Sequence, residues 1–280
     1  MSAPSSAPLR VAILAPMDGS IYARMLLHQL QDEANITPCA IAIRTPWTWK
    51  RMRSELRRDG ARLLRKVKRK MVFGHRGETL VSNGVETLTA LARTRGLEGV
   101  GLSQLAQVAQ VPVATFADHN DPDCLGFLQQ AQPDVIAFTG GGLIRKKLLS
   151  LAPHGVLNAH MGILPQWRGM DVVEWPVLST PQPFGADLGI TLHRMDSGVD
   201  TGPILLRRVC QVLPEDDFAL IRRRLERMMW ECMLDALRGL RDGALTPEPQ
   251  LQEQGRQYYV MHPRIEELAN RRLADWLETL

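Results

Sequence analysis

Two stretches of the chain concentrate the residue types that do chemistry. The first runs Leu157-Asn158-Ala159-His160-Met161-Gly162-Ile163-Leu164-Pro165-Gln166-Trp167-Arg168-Gly169. Asn158 and His160 stand two apart at the end of an apolar run, the spacing that puts both side chains on one face of a strand. The second runs His193-Arg194-Met195-Asp196-Ser197-Gly198-Val199-Asp200-Thr201-Gly202 and sets two carboxylates and two glycines between apolar runs. An amide, an imidazole and a carboxylate are groups of hydrogen-bonding and proton-transfer chemistry. Neither stretch has the H-x-H or H-E-x-x-H spacing of a zinc site, so no metal is expected. Gly140-Gly141-Gly142 is not the G-x-G-x-x-G of a nicotinamide-binding turn. Each feature also has a plain structural reading. Asn-x-His can simply end a strand, Asp196 can be a turn residue two before a glycine, and His119-Asn120-Asp121 can be a helix cap.

The combined spacing resembles the signature of the folate-dependent formyltransferases, the catalytic domain shared by methionyl-tRNA formyltransferase, glycinamide ribonucleotide transformylase and the amino-sugar N-formyltransferases. That pattern is N-x-H at a strand end, then L-P and R-G, then G-x-T-x-H, closing on D-x-G-x-D-x-G-P. Here it reads Asn158-x-His160, Leu164-Pro165, Arg168-Gly169, Gly189-x-Thr191-x-His193 and Asp196-Ser-Gly198-Val-Asp200-Thr-Gly202-Pro203. The likeness is specific from about Asp134 to Leu206 and extends as a fold expectation back to Arg10. It implies transfer of a formyl group from 10-formyltetrahydrofolate to a primary amine, with Asn158, His160 and Asp200 catalytic. Asn158 and a charged His160 would donate to the oxyanion formed as the amine attacks, at about 3 kcal/mol per donor. Asp200 would keep His160 charged or oriented and could take the amine's proton.

The same resemblance implies that the pterin lies against Gly140, Gly141, Gly142, Leu143 and Ile144 and against Asp196, Ser197, Gly198 and Val199. Glycines there let the backbone approach closely. Asp18, Gly19, Ser20, Arg168 and His193 are the expected acceptor contacts, with a supporting role favoured for His193. The expected acceptor is the amine of a small metabolite, a nucleotide-linked amino sugar foremost. A methionyl-tRNA acceptor ranks behind it because a short, largely helical stretch follows Gly243. A hydroxyornithine-type amine and a formyltetrahydrofolate hydrolase are further enzymatic alternatives. A non-catalytic RNA- or membrane-binding module is the alternative from another class.

These residues need a scaffold, and the apolar runs predict one. Strands are expected at Arg10–Ala15, Ile36–Ile43, Val111–Phe116, Asp134–Thr139 and Gly155–His160, alternating with helical segments. That alternation argues for α/β architecture, a mostly parallel open sheet with helices on both faces, Rossmann-like in the family it resembles. Ala186–Met195 and Pro203–Val212 predict two more strands joined without a helix. Phe218, Ile221, Leu225, Met228 and Cys232 mark one face of a long helix, with Glu215 and Asp216 at its start and Gly243 at its end. Tyr258–Met261 predicts a short extended piece before a helical tail. The division expected is a disordered tail at 1–9, a catalytic domain at 10–212 with a basic helical insertion at about 46–76, and a helical extension at 213–280.

Bulk composition narrows the class. At 280 residues with 45% hydrophobic and 23% charged residues, the chain can bury a substantial core. Four widely separated cysteines without a C-x-x-C pair suit a reducing, cytoplasmic setting. The formal charge of +4 is unevenly spread. From Arg44 to Arg76 thirteen Lys or Arg stand against Glu55 and Asp59, so this stretch carries +11 and the remainder −7. One basic element on an acidic body disfavours a general nucleic-acid binder and fits attraction of an anionic acceptor, with peripheral membrane contact through 49–73 as an alternative. Trp49, Met52, Leu56, Leu63, Val67 and Met71 predict an apolar face along it.

Overall fold

The first strand shows why both faces of the sheet are covered. β1 (Leu9–Ala15) sends Val11, Ile13 and Ala15 into one core and Ala12 and Leu14 into another, and all five are fully buried. A strand apolar on both faces belongs inside a parallel sheet with helices on each side. The computed structural model describes residues 7–45, 81–82, 85–183 and 185–280. The basic insertion expected at 46–76, its apolar face, and residues 1–6 of the expected tail lie outside the described residues.

After β1 come α1 (Ile21–Leu30), β2 (Ile36–Arg44), the two-residue strands β3 (Val81–Ser82) and β4 (Val85–Glu86), α2 (Leu88–Thr94), α3 (Leu102–Val108) and β5 (Val113–Phe116). The chain continues through α4 (Pro122–Ala131), β6 (Val135–Phe138), α5 (Lys146–Leu149), β7 (Val156–His160), β8 (Trp167–Gly169) and α6 (Glu174–Ser179). It ends with β9 (Gly189–Arg194), β10 (Ile204–Val209), α7 (Phe218–Arg241), β11 (Arg256–Tyr258) and α8 (Pro263–Leu277). Seven strands form one sheet in the order β10-β9-β7-β6-β1-β2-β5. The five from β5 to β7 are parallel, and β9 runs antiparallel to both β7 and β10. Strand order reverses between β1 and β6, the position where open α/β sheets leave a crevice for ligands.

One face of the sheet is covered by α1, α2, α3, α7 and α8, whose buried residues join a single core with β1, β7 and β9. The other face is covered over β1, β2 and β6 by α4 and α5, through Cys124, Leu128 and Leu148. Three details differ from the sequence expectations. A 3-10 turn occupies Gly185–Asp187, so the strand expected from Ala186 begins at Gly189. Asp217, rather than Glu215 or Asp216, caps α7 by accepting from the Leu220 amide at 2.7 Å. Asp216 is instead buried in an ion pair with Arg224, which relieves both charges of an otherwise costly desolvation. The extended piece of the tail is β11, centred a little earlier than expected, and it pairs in parallel with β8.

Candidate active site

β7 brings the amide and the first imidazole together. Leu157 and Ala159 face the core beneath α7, and Val156 faces the opposite core. Strand alternation therefore turns Asn158 and His160 away from α7, onto the face that α4 and α5 cover elsewhere. β9 lies beside β7 with His193 opposite Asn158 and Thr191 opposite His160. Thr191 is fully buried. Its hydroxyl donates to the Gly162 carbonyl at 2.7 Å and accepts from the Leu164 amide at 3.0 Å, fixing the turn that leaves β7.

Asp200 closes the cluster from the loop between β9 and β10. One carboxylate oxygen lies 3.5 Å from His160 Nδ1, and the other lies 3.5 Å from His193 Nε2. The Gly169 amide donates to Asp200 Oδ2 at 2.9 Å. Asn158 Nδ2 stands 3.2 Å from His193 Nε2, so the four side chains form one connected group. Asp200 adopts a left-handed backbone, φ 53°, a conformation Asp tolerates better than most residues. His160 Nε2 lies 2.8 Å from the Trp167 carbonyl. A carbonyl can only accept, so Nε2 carries the proton and Nδ1 is left facing the carboxylate.

Electrostatics divide the roles. Burial works against the Asp200 charge, but His193, His160 and the Gly169 amide outweigh it and bring the carboxyl down to about 2. For His160 burial is the largest effect and pushes the ring below its ordinary value, against the opposing pull of Asp200 and the Trp167 carbonyl. On the sequence reading Asp200 keeps His160 charged or oriented; in the structure burial opposes the charge on the ring, and Asp200 favours it.

The loops expected to hold a pterin follow β6 and β9. Gly140, Gly141 and Gly142 have φ of 114°, 124° and 108°, which side chains rarely adopt. A Cβ on Gly141 would stand 2.8 Å from the buried His119 ring, and one on Gly140 would touch Pro16 from the loop after β1. The triple glycine thus lies across the β1/β6 reversal. Asn120 holds the loop at two points, donating to the Leu143 carbonyl at 2.8 Å and accepting from the Arg145 amide at 2.8 Å. On the second loop, Asp196 accepts from the Gly198 amide at 3.0 Å and the Thr201 hydroxyl at 2.7 Å, the geometry of a turn residue. Leu143 is 74% exposed and Val199 40%, so each loop presents an apolar side chain to solvent beside backbone polar groups; Ile144 is buried beneath.

The residues expected to meet an acceptor have structural duties. Asp18 reaches across to α3 and accepts from the Ser103 amide at 2.8 Å. Ser20 caps α1 through the Ala23 amide, and the Gly19 carbonyl accepts from Arg24. Arg168 is buried and donates to the Leu251 carbonyl at 3.0 Å. His193 is buried within the cluster. Sequence reasoning passed over the Trp167 carbonyl, Asn120's double contact and Gln250, whose amide donates to the Asp200 and Gly202 carbonyls. Backbone acceptors leave no mark in a sequence, and Gln250 belongs to no motif.

The open α/β sheet thus brings an amide, two imidazoles and a carboxylate into one group. The sequence profile described as formyl transferase matches residues 69–237, and the chain belongs to that family. A methionyl-tRNA formyltransferase of Anaeromyxobacter dehalogenans is 32% identical over 172 residues, covering 61% of this chain and 54% of its own length. One from Pseudomonas syringae is 34% identical, covering 53% of this chain and 46% of its own. The chain therefore matches about half the length of these curated relatives. Among solved structures, glycinamide ribonucleotide transformylase 1 of Symbiobacterium toebii aligns with a TM-score of 0.56 at 16% identity, covering 88% of this chain and 96% of that one. That likeness shows the fold. Among the described residues no group of three or more His, Cys, Asp or Glu could hold a metal ion, and no helix is long and apolar enough to cross a membrane.

Proposed function

We propose that the chain transfers a formyl group from 10-formyltetrahydrofolate to a primary amine, with Asn158, His160 and Asp200 as the reacting side chains. The observation that carries this reading is Asp200 bridging His160 and His193 at 3.5 Å each, next to Asn158. The donor supplies an activated formyl group whose carbonyl oxygen becomes negative as the amine adds. Asn158 donates to that oxygen. His160 takes the proton the amine loses at Nδ1, the nitrogen that the Trp167 carbonyl does not occupy, and ionised Asp200 steadies the imidazolium so formed. His160 then returns that proton to the departing folate nitrogen. The Gly140–Ile144 and Asp196–Val199 loops fit a flat ring system, with Leu143 and Val199 as its apolar contacts and backbone groups as its polar ones.

For the acceptor, the sequence relatives support the methionyl-tRNA alternative better than the amino-sugar reading expected first. Methionyl-tRNA is therefore the leading acceptor, and the +11 stretch from Arg44 to Arg76 suits a polyanion. A single assay separates the two acceptors. The protein is supplied with 10-formyltetrahydrofolate and, in turn, methionyl-tRNA, nucleotide-linked amino sugars and hydroxyornithine, and tetrahydrofolate release is followed together with the mass gain of one formyl group. Formylation of methionyl-tRNA alone is the expected result. Turnover of an amino sugar alone would replace that acceptor, and folate release without any formylated amine would replace transfer by hydrolysis.

A further inference from the structure

The family match ends at residue 237, yet residues beyond it touch the backbone of the catalytic loops at several points. Gln250 Nε2 donates to the Asp200 carbonyl at 3.1 Å and to the Gly202 carbonyl at 2.5 Å. Gln250 Oε1 is buried without a partner, so the two donor contacts set the orientation of this amide. They fall on a segment that needs holding, because Asp200 sits in the left-handed region. Nearby, β11 lays the Tyr258 carbonyl against Gly169, where φ is 98° and any Cβ would collide with it. Gly169 is the residue whose amide donates to the Asp200 carboxylate. The extension thus reaches Asp200 twice, directly through Gln250 and indirectly through β8.

We propose that Gln250 is a positioning residue that holds the Asp200 carboxylate against His160 and His193, so that the C-terminal extension completes the catalytic centre. This rests on the reading of Asp200 as the carboxylate that steadies His160. Gln250 touches neither imidazole and handles no proton; it acts through the Asp200 backbone. The two ring contacts are already 3.5 Å long. A further drift on the order of 1 Å would lose them, and displacements of that size can cost about a hundredfold in rate.

The test is a double-mutant cycle between Gln250→Met, which keeps length and removes both donors, and Asp200→Asn. Two quantities are read for all four proteins: transfer kinetics, and the pH titration of the histidine rings by NMR. The His160 ring is faced by Asp200 from its loop, by His193 from β9 and by the Trp167 carbonyl from β8. Of these Asp200 is the anion, so releasing it lowers the His160 midpoint. The expected result is that Gln250→Met lowers kcat by roughly tenfold or more, leaves the donor KM within about threefold, and lowers the His160 midpoint. On the Asp200→Asn background it changes neither quantity further. Equal losses on both backgrounds, or a His160 midpoint unmoved by Gln250→Met, would overturn the proposal. The ring titration needs no turnover. If the transfer reading itself fails, seen as an Asp200→Asn variant as fast as the native chain, the titration still decides whether Gln250 holds Asp200.

Discussion

At the scale of single residues, the Asp200 carboxylate stands 3.5 Å from both His160 and His193. His160→Ala and Asp200→Asn are each expected to lower turnover by about a hundredfold or more while the fold persists, since each removes a group acting on the reacting atoms. Rates near those of the native chain in either variant, with circular dichroism unchanged, would remove the mechanism. The pH profile carries an independent prediction. Burial holds His160 below the ordinary imidazole value of about 6.5. A base must be unprotonated to act, so the rate climbs as pH rises through the His160 midpoint. Asp200→Asn removes the anion that raises this midpoint, so its residual activity shows a limb displaced further toward acid. A rate that instead falls as pH rises through this midpoint would mean that protonated His160 is the working form. Much of this cluster was legible in the sequence: the two-residue spacing placed Asn158 and His160 on one face, and the resemblance to the folate-dependent formyltransferase signature pointed to Asp200. The charge state of His160 was not legible, because it depends on burial and on the Trp167 carbonyl.

At the scale of elements, the central strands were legible as apolar runs, because a strand buried along its whole length, as β6 is, must be apolar throughout. The pairing of β8 with β11 could not be read. Each is three residues long, and what brings them together is tertiary: Gly169 admits the Tyr258 carbonyl, the Met261 amide donates to Asp171 at 2.7 Å, and Trp175 Nε1 donates to the Tyr259 carbonyl at 3.0 Å. The stretch from His119 to Asp121 shows the same limit. Read as a helix cap, it does precede α4, but Asp121 makes no side-chain cap to that helix and accepts from the Asp118 amide instead. Asn120 turns outward to grip the glycine loop. That grip fixes the loop's backbone at two points, so Asn120→Ala is expected to raise the donor KM several-fold with kcat nearly unchanged, and to weaken folate binding equally by calorimetry. A loss confined to kcat would instead make the loop part of the reacting centre.

At the scale of the whole molecule, the extension is built into the core. Met261, Ala269, Leu273, Trp276 and Leu277 are buried in the same core as β1 and α7. Arg272 on α8 donates to the Leu178 and Thr180 carbonyls at 3.0 Å each, tying that helix to the end of α6. Trp276 packs near Gly185, where a Cβ would lie 3.4 Å from its ring. Replacing it with Ala empties a site that neighbours on two elements cannot both refill, a change that typically costs about 3–5 kcal/mol. In a chain of this size that corresponds to a fall in Tm of roughly 10 °C. The loss should not be uniform. Since α8 braces α6, and β11 braces β8, hydrogen exchange in Trp276→Ala is expected to quicken first across residues 163–180 and 250–261, before the central strands β1 and β6 respond. Turnover should fall at temperatures where those central strands remain fully protected. If exchange instead accelerates evenly over the sheet, the extension stabilises the fold as a whole, and its link to the Asp200 loop is incidental.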